Sequence, residues 1–162
     1  MSAMPVTIHS QPLTAAAFAP YGQVIQTDGA ASFPINAGRC IRYHGLATVD
    51  VREGPPLINI FRSEPVTLPY EFSLVERHPL GSQAFMPLSS DPFLIIACSD
   101  GNGRPSEPHA FITAPGQGIS FNRNVWHGVL TPLNRAASFL VVDRGGKDNL
   151  EEFRFGEAFR VE

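Results

Sequence analysis

Apolar and alternating runs recur along the chain at Leu57 to Phe61, Phe72 to His78, Gln83 to Leu88, Phe93 to Cys98, Ala110 to Thr113, Gly118 to Phe121, Val125 to Leu130 and Phe139 to Asp143. Gly, Pro, Asn or Ser bounds each run. These residues turn a chain, so each run predicts a short strand. The 14 Gly and 15 Pro interrupt the sequence too often for long helices. One short helix is predicted at Ala15 to Ala19, with Thr14 capping its start and Pro20 halting it, as a lid or edge decoration. Open strand edges invite aggregation, so a chain of this kind closes into a β-barrel or a double-sheet jelly roll. The expected fold class is mainly β with few short helices. The 162 residues make a single domain, 1–162, because a second core would leave each half marginal.

Within Phe72 to His78, a period of two puts Phe72, Leu74, Glu76 and His78 on one face and Ser73, Val75 and Arg77 on the other. The first face runs from apolar to ionisable, as the inside of a small barrel does when its closed end is packed and its mouth carries a site. The same pattern also fits a solvated Glu76 and Arg77 with a histidine that merely ends the strand. A hairpin across Pro79-Leu80-Gly81 returns Gln83 beside His78, and a later alternation places Val125, His127 and Val129 on one face. Glu76, His78, Gln83 and His127 thus form a candidate cluster. Imidazole, carboxylate and amide oxygen suit a borderline divalent ion such as nickel, zinc, manganese or iron, and no thiolate set suggests structural zinc.

Composition narrows the function classes. Hydrophobic residues are 43% and charged residues 17%, enough apolar material for a core. The net charge is −3 and the 12 Lys and Arg are scattered, so no basic stripe exists to meet nucleic acid. Cys40 and Cys98 lie in apolar surroundings outside any C-x-x-C pair and read as two reduced, buried thiols. Met1 to Ser10 lacks the marks of a secretory leader, and Phe93 to Cys98 falls far short of the ~20 residues that span a bilayer. The expectation is a cytoplasmic protein without membrane contact.

The spacing Glu76-x-His78-x-x-x-x-Gln83 followed by His127 resembles the cupin metal signature, with Glu in place of the first His and Gln in place of the acid. Longer phrases narrow the resemblance. Tyr21-Gly22, Ile35-Asn36, Arg42-Tyr43-His44, Glu76-Arg77-His78-Pro79-Leu80-Gly81 with Gln83-Ala84-Phe85, Arg123-Asn124-Val125-Trp126-His127 and Asp143-Arg144-Gly145-Gly146 with Asp148-Asn149 are similar, in that order, to the ureidoglycolate lyase family. This resemblance implies a cupin-like barrel, a homodimer, and cleavage of ureidoglycolate to glyoxylate and urea in the breakdown of allantoin and other purine-derived ureides.

That chemistry needs a base for the substrate hydroxyl and an acid for departing urea. Glu76, His78, Gln83 and His127 are the expected metal shell, holding nickel or otherwise manganese or zinc, or hydrogen-bonding groups around the same atoms. No organic cofactor is implied. Tyr43 or His44 is a candidate acid, though Tyr43 packed in the core and His44 at a turn fit equally. Arg42, Arg62, Arg123 and Arg144 are candidates for the substrate carboxylate, which paired guanidinium donors suit. Arg77, alternating outward, reads as a surface or interface ion-pair former, and Trp126 as core. Two rival functions share the pattern: a hydrolase releasing ammonia from the same substrate, and a non-catalytic cupin that binds a small carboxylate.

Overall fold

A computed structural model describes residues 3–162. The chain forms β1 (Val6–Ile8), β2 (Ser10–Pro12), α1 (Ala15–Phe18), β3 (Gly22–Ile25), β4 (Ser32–Ile35), β5 (Cys40–Tyr43), β6 (Pro56–Ser63), β7 (Tyr70–Arg77) and β8 (Gln83–Pro87). There follow β9 (Phe93–Cys98), β10 (Asp100–Gly101), β11 (Arg104–Pro105), β12 (His109–Ile112), β13 (Gly118–Phe121), β14 (Trp126–His127), β15 (Thr131–Pro132), β16 (Ala137–Arg144) and β17 (Glu151–Val161). Among the described residues the single helix is one turn, capped by the Thr14 hydroxyl on the Ala17 amide.

A five-stranded sheet in the order β3-β13-β8-β16-β6 faces an eight-stranded sheet in the order β1-β17-β7-β14-β9-β12-β2, with β15 added to β9. The larger sheet rolls until its two end strands, β1 and β2, are neighbours in sequence, so the edges nearly close into a barrel. This is the mainly β, cupin-like architecture expected. Among the described residues no helix is long and apolar enough to cross a membrane.

The chain builds two cores, and alternation along each strand decides which residue enters which. On β9, Phe93, Ile95 and Ala97 join a cluster between the sheets with Phe18, Phe85, Phe111, Phe121 and Phe139. Leu94, Ile96 and Cys98 point the other way, into the curl of the larger sheet, beside Val75, Trp126, Phe159 and Val161. A strand packed on both faces reads as a continuous apolar run, and FLIIAC is one. Each buried Phe, Leu or Ile contributes about 1.5–3 kcal/mol of apolar transfer.

Three details depart from the sequence expectation. Val75, assigned to an outer face, is fully buried in the second core, and Phe72 packs there as well. The run Val125 to Leu130 is not one strand: Asn124 takes a left-handed φ of 71°, only Trp126 and His127 pair in the sheet, and Val129 is exposed. The Gly128 amide bonds the Ile96 carbonyl as the chain turns away, so Val125, His127 and Val129 share no face. Cys40 is exposed on β5, whereas Cys98 is buried as expected.

Candidate active site

The candidate residues meet at one end of the gap between the sheets. His127 on β14 lies directly across from Glu76 on β7, so their side chains leave the same face, and His78 follows at the end of β7. Gln83 opens β8 in the opposite sheet, paired with Phe121. Ligand atoms of Glu76, His78 and His127 lie within 4.8 Å of one another. The two imidazoles are 5.2 Å apart between centroids, and Phe121 stacks flat on His127 at 4.3 Å.

Hydrogen bonding fixes what each group presents. His78 Nδ1 lies 2.8 Å from the Asn149 carbonyl, and His127 Nδ1 lies 2.8 Å from the Gly128 carbonyl. A carbonyl only accepts, so both rings carry a proton on Nδ1, and a neutral ring keeps its Nε2 lone pair for the site. Gln83 donates its amide Nε2 to Asp143 Oδ2 at 3.3 Å, and Asp143 in turn accepts from Asn59 at 2.8 Å. The atoms left over, His78 Nε2, His127 Nε2 and Gln83 Oε1, are all acceptors, all buried, and without a hydrogen-bond partner. Orienting the far side of each ligand while freeing its near atom is how proteins prepare a metal shell.

Burial, reinforced by the nearby His78, drives the His127 pKa down to about 3, so its ring is neutral at physiological pH. Burial raises the Glu76 pKa, the neighbouring His78 opposes that shift, and Glu152 adds to it. Glu76 Oε1 stands 3.9 Å from His78 Nε2. A cavity of about 440 Å³ opens onto the group, lined by Glu76, His78, Gln83, Asp143, Arg144 and Leu150. His127 does not itself line this cavity.

The arginines separate clearly. Arg144 reaches the cavity wall, but its guanidinium donates to the carbonyls of Arg52 at 2.6 Å, Glu53 at 2.7 Å and Lys147 at 2.8 Å. It is shut in by glycine: a Cβ on Gly81 would stand 2.7 Å from Arg144 Cβ, and one on Gly146 3.1 Å from its Nη2. Arg123 lines a neighbouring polar cavity, held by Asp50 at 3.3 Å and the Pro79 carbonyl at 3.0 Å. Arg62 donates to the Ser138 hydroxyl at 3.3 Å on the rim of the smaller sheet. Arg42, Tyr43 and His44 are exposed on and beside β5, outside the cavity lining, and Tyr43 is not a core residue. Arg77 lies outside the site as expected, bridging Asp100 and Glu151 over the face of Trp126, which is buried.

Two supporting residues escaped the sequence reading. Asn149 holds His78 through its carbonyl and the Leu80 amide through its side chain, and Asp143 holds Gln83. Asp143 alternates with Val141 along β16, which signals a shared face. Asn149 lies in a loop without periodicity, and only its place in the Asp148-Asn149 phrase of the family resemblance marked it.

Fold and site together define a small cupin-like barrel whose mouth carries an oxygen-and-imidazole ligand cluster. The chain belongs to the ureidoglycolate lyase family, whose family model matches residues 5–162. A relative named ureidoglycolate lyase in Chelativorans sp. (strain BNC1) is 54% identical over 157 residues, covering 95% of each chain. One of the same name in Mesorhizobium japonicum is 54% identical over 95% of this chain and 96% of its own. Among solved structures, a 3,4-ketoisomerase from Helicobacter canadensis aligns over 78% of this chain and 84% of its own, with a TM-score of 0.43 and 13% identity. That likeness is too distant to bear on function.

Proposed function

We propose that this chain is a carbon–nitrogen lyase that splits ureidoglycolate into glyoxylate and urea. The observation that carries the reading is the convergence of three buried, unpartnered acceptors, on His78, His127 and Gln83, beside a carboxylate in a chain of this family. The reacting carbon of the substrate bears a hydroxyl and a ureido nitrogen. Removing the hydroxyl proton lets the oxygen electrons form the carbonyl of glyoxylate while the carbon–nitrogen bond breaks, and the nitrogen takes up a proton to leave as urea. No water enters, so atoms balance without hydrolysis.

Glu76 suits the proton transfer: its carboxylate stands beside the ligand atoms of both histidines, and burial raises its pKa, which makes it a stronger proton acceptor than an ordinary carboxylate. The departing nitrogen receives from Glu76 the proton that the hydroxyl gave up. Tyr43 and His44 remain candidates for that acid only where they are brought to the mouth from outside its lining.

The donor set fits a divalent cation, because each buried acceptor is aimed by a second bond and none is a thiolate. Glu76, His78, Gln83 and His127 would hold it, with nickel, manganese or zinc the matching ions. Such an ion supplies Lewis-acid stabilisation to a developing oxyanion. A homodimer is part of the same reading: β6 is the unpaired edge of the smaller sheet, and it exposes Ile58 at 76% and Ile60 at 60%. Two free cysteines suit the cytoplasm.

The test incubates purified protein with ureidoglycolate and measures glyoxylate, urea and ammonia above the enzyme-free rate. One urea per glyoxylate, with turnover lost in His78→Ala and after chelation, is the expected result. Ammonia in place of urea would turn the assignment to a hydrolase.

A further inference from the structure

The mouth offers an anionic substrate no free guanidinium or ammonium group. Among the described residues Arg144 is the only Lys or Arg in the cavity lining, and three backbone carbonyls already occupy its guanidinium. The same lining carries the carboxylates of Glu76, Asp143 and Asp148. A bound carboxylate there meets negative charge, which a positive group must offset.

The missing cation is present on the molecule, away from the site. β4 and β5 pair only with each other, forming a two-stranded hairpin outside both sheets of the barrel. All their residues but Ile35 are exposed. The hairpin carries Arg42, which makes no ion pair among the described residues and rests on the Phe33 ring at 5.8 Å. It also exposes Phe33, Ile41 and Tyr43 at 43%, 50% and 44%. An isolated two-stranded ribbon with apolar faces is marginal in water, so this one calls for a surface to lie on.

That surface is β6 of a second copy. β6 is at once the unpaired edge of the smaller sheet and a wall of the cavity, since Phe61 lines the cavity while Ile58 and Ile60 face outward. A ribbon laid along β6 covers exposed apolar groups on both partners and reaches the rim of the acidic mouth. In a two-fold pair the exchange is reciprocal, and the contact covers one face of each hairpin. We propose that each hairpin crosses to the partner copy and delivers Arg42 to the partner's cavity as the clamp for the substrate carboxylate. Tyr43 and His44 travel with it to that mouth. This rests on the ureidoglycolate-cleaving dimer argued above, and one arm of its test needs no turnover.

That arm uses the exposed native thiol of Cys40 on β5 and a second thiol introduced at the cavity wall by L150C. Treatment with a short bis-maleimide should give a covalent dimer on a denaturing gel, absent when L150C is combined with C40S or when the wild type is treated alone. A cross-link confined to one chain, or none, overturns the crossing.

The second arm mixes R42A with H78A, each confirmed folded by its melting temperature and each inactive alone. Random exchange makes half the pairs mixed, and each mixed pair owns one intact site, so activity should return to roughly a quarter of wild type. No return of activity, or R42A that turns over like wild type, overturns the role of Arg42. L150C protein that forms the cross-link, alongside wild type that leaves ureidoglycolate intact, would instead sink the substrate assignment and leave the crossing standing.

Discussion

Replacing Arg144 by Ala tests whether this residue builds the mouth or binds substrate. Its guanidinium gives three charge-assisted bonds of 2.6, 2.7 and 2.8 Å, and the residue is 9% exposed. A bond from a charged donor contributes about 1.5–3 kcal/mol, and the carbonyls of a site at the barrel mouth recover part of that by hydration. The net loss should be about 3–4 kcal/mol, in the range expected for breaking a buried polar network. For a chain of this length each kcal/mol moves the melting temperature by about 2–4 °C. The expected fall is therefore about 6–16 °C by differential scanning calorimetry.

The kinetic signature follows from the same contacts. Arg144 fixes the loop through Lys147, and two residues on, the Asn149 carbonyl sets the His78 ring. Loosening that loop should lower kcat more than it raises KM. Arg144→Lys should rescue little, because a point charge cannot serve three carbonyls in a fixed fan. A variant that melts within about 2 °C of wild type, keeps its kcat and raises only KM would refute this account and return Arg144 to the substrate carboxylate.

Two further predictions rest on ionisation and burial. In metal-free protein, His127 binds a proton near pH 6.5 when unfolded but only at about 3 when folded, so acid favours the unfolded chain. Thermal stability should fall as pH drops below 6.5, by at most about 1.4 kcal/mol per pH unit from this group, and His127→Phe should flatten that slope; an unchanged slope would refute it. Cys98 is buried with its thiol pushed up to about 12, while Cys40 is exposed, so a thiol reagent at pH 8 should modify one cysteine in the native protein and two after denaturation. Two fast thiols in native protein would contradict the packing of the second core.

The strand-rich architecture was legible because Gly and Pro punctuate runs whose periodicity survives in the structure, as in Phe93 to Cys98 and Phe139 to Asp143. What escaped was a consequence of curvature. A sheet that rolls on itself packs both faces, so Val75 and Phe72 enter one core although alternation assigns them to opposite sides. β17 was missed because Gly156 and Glu157 interrupt the alternation of Phe153, Phe155, Phe159 and Val161, where the register shifts against β7. The structure brings the candidates Glu76, His78 and His127 together, although His127 arrives on a two-residue strand and not on the alternating face assigned to it. Asn149 was invisible because its role is played largely by a backbone carbonyl, which every residue possesses. The Arg144 environment was equally hidden, since its three acceptors are also carbonyls.

The departure of Gln83 from the acidic residue of the cupin pattern has its own explanation in the second shell. Gln83 turns its amide nitrogen to Asp143 Oδ2 at 3.3 Å, and Asp143 is anchored by Asn59. A carboxylate at position 83 would face that of Asp143 at the same separation, and two carboxylates so close cannot both stay ionised without cost. An amide instead donates to Asp143 and still aims an oxygen into the site. The exchange also sets the charge of the shell. With the neutral His127 ring and a neutral amide in the set, Glu76 is the one carboxylate donor, so a divalent ion held there would keep a net positive charge. A second acid would have cancelled it. Gln83 and Asp143 are bonded as a pair, and under the proposed function the amide at position 83 would suit the site to an anionic substrate.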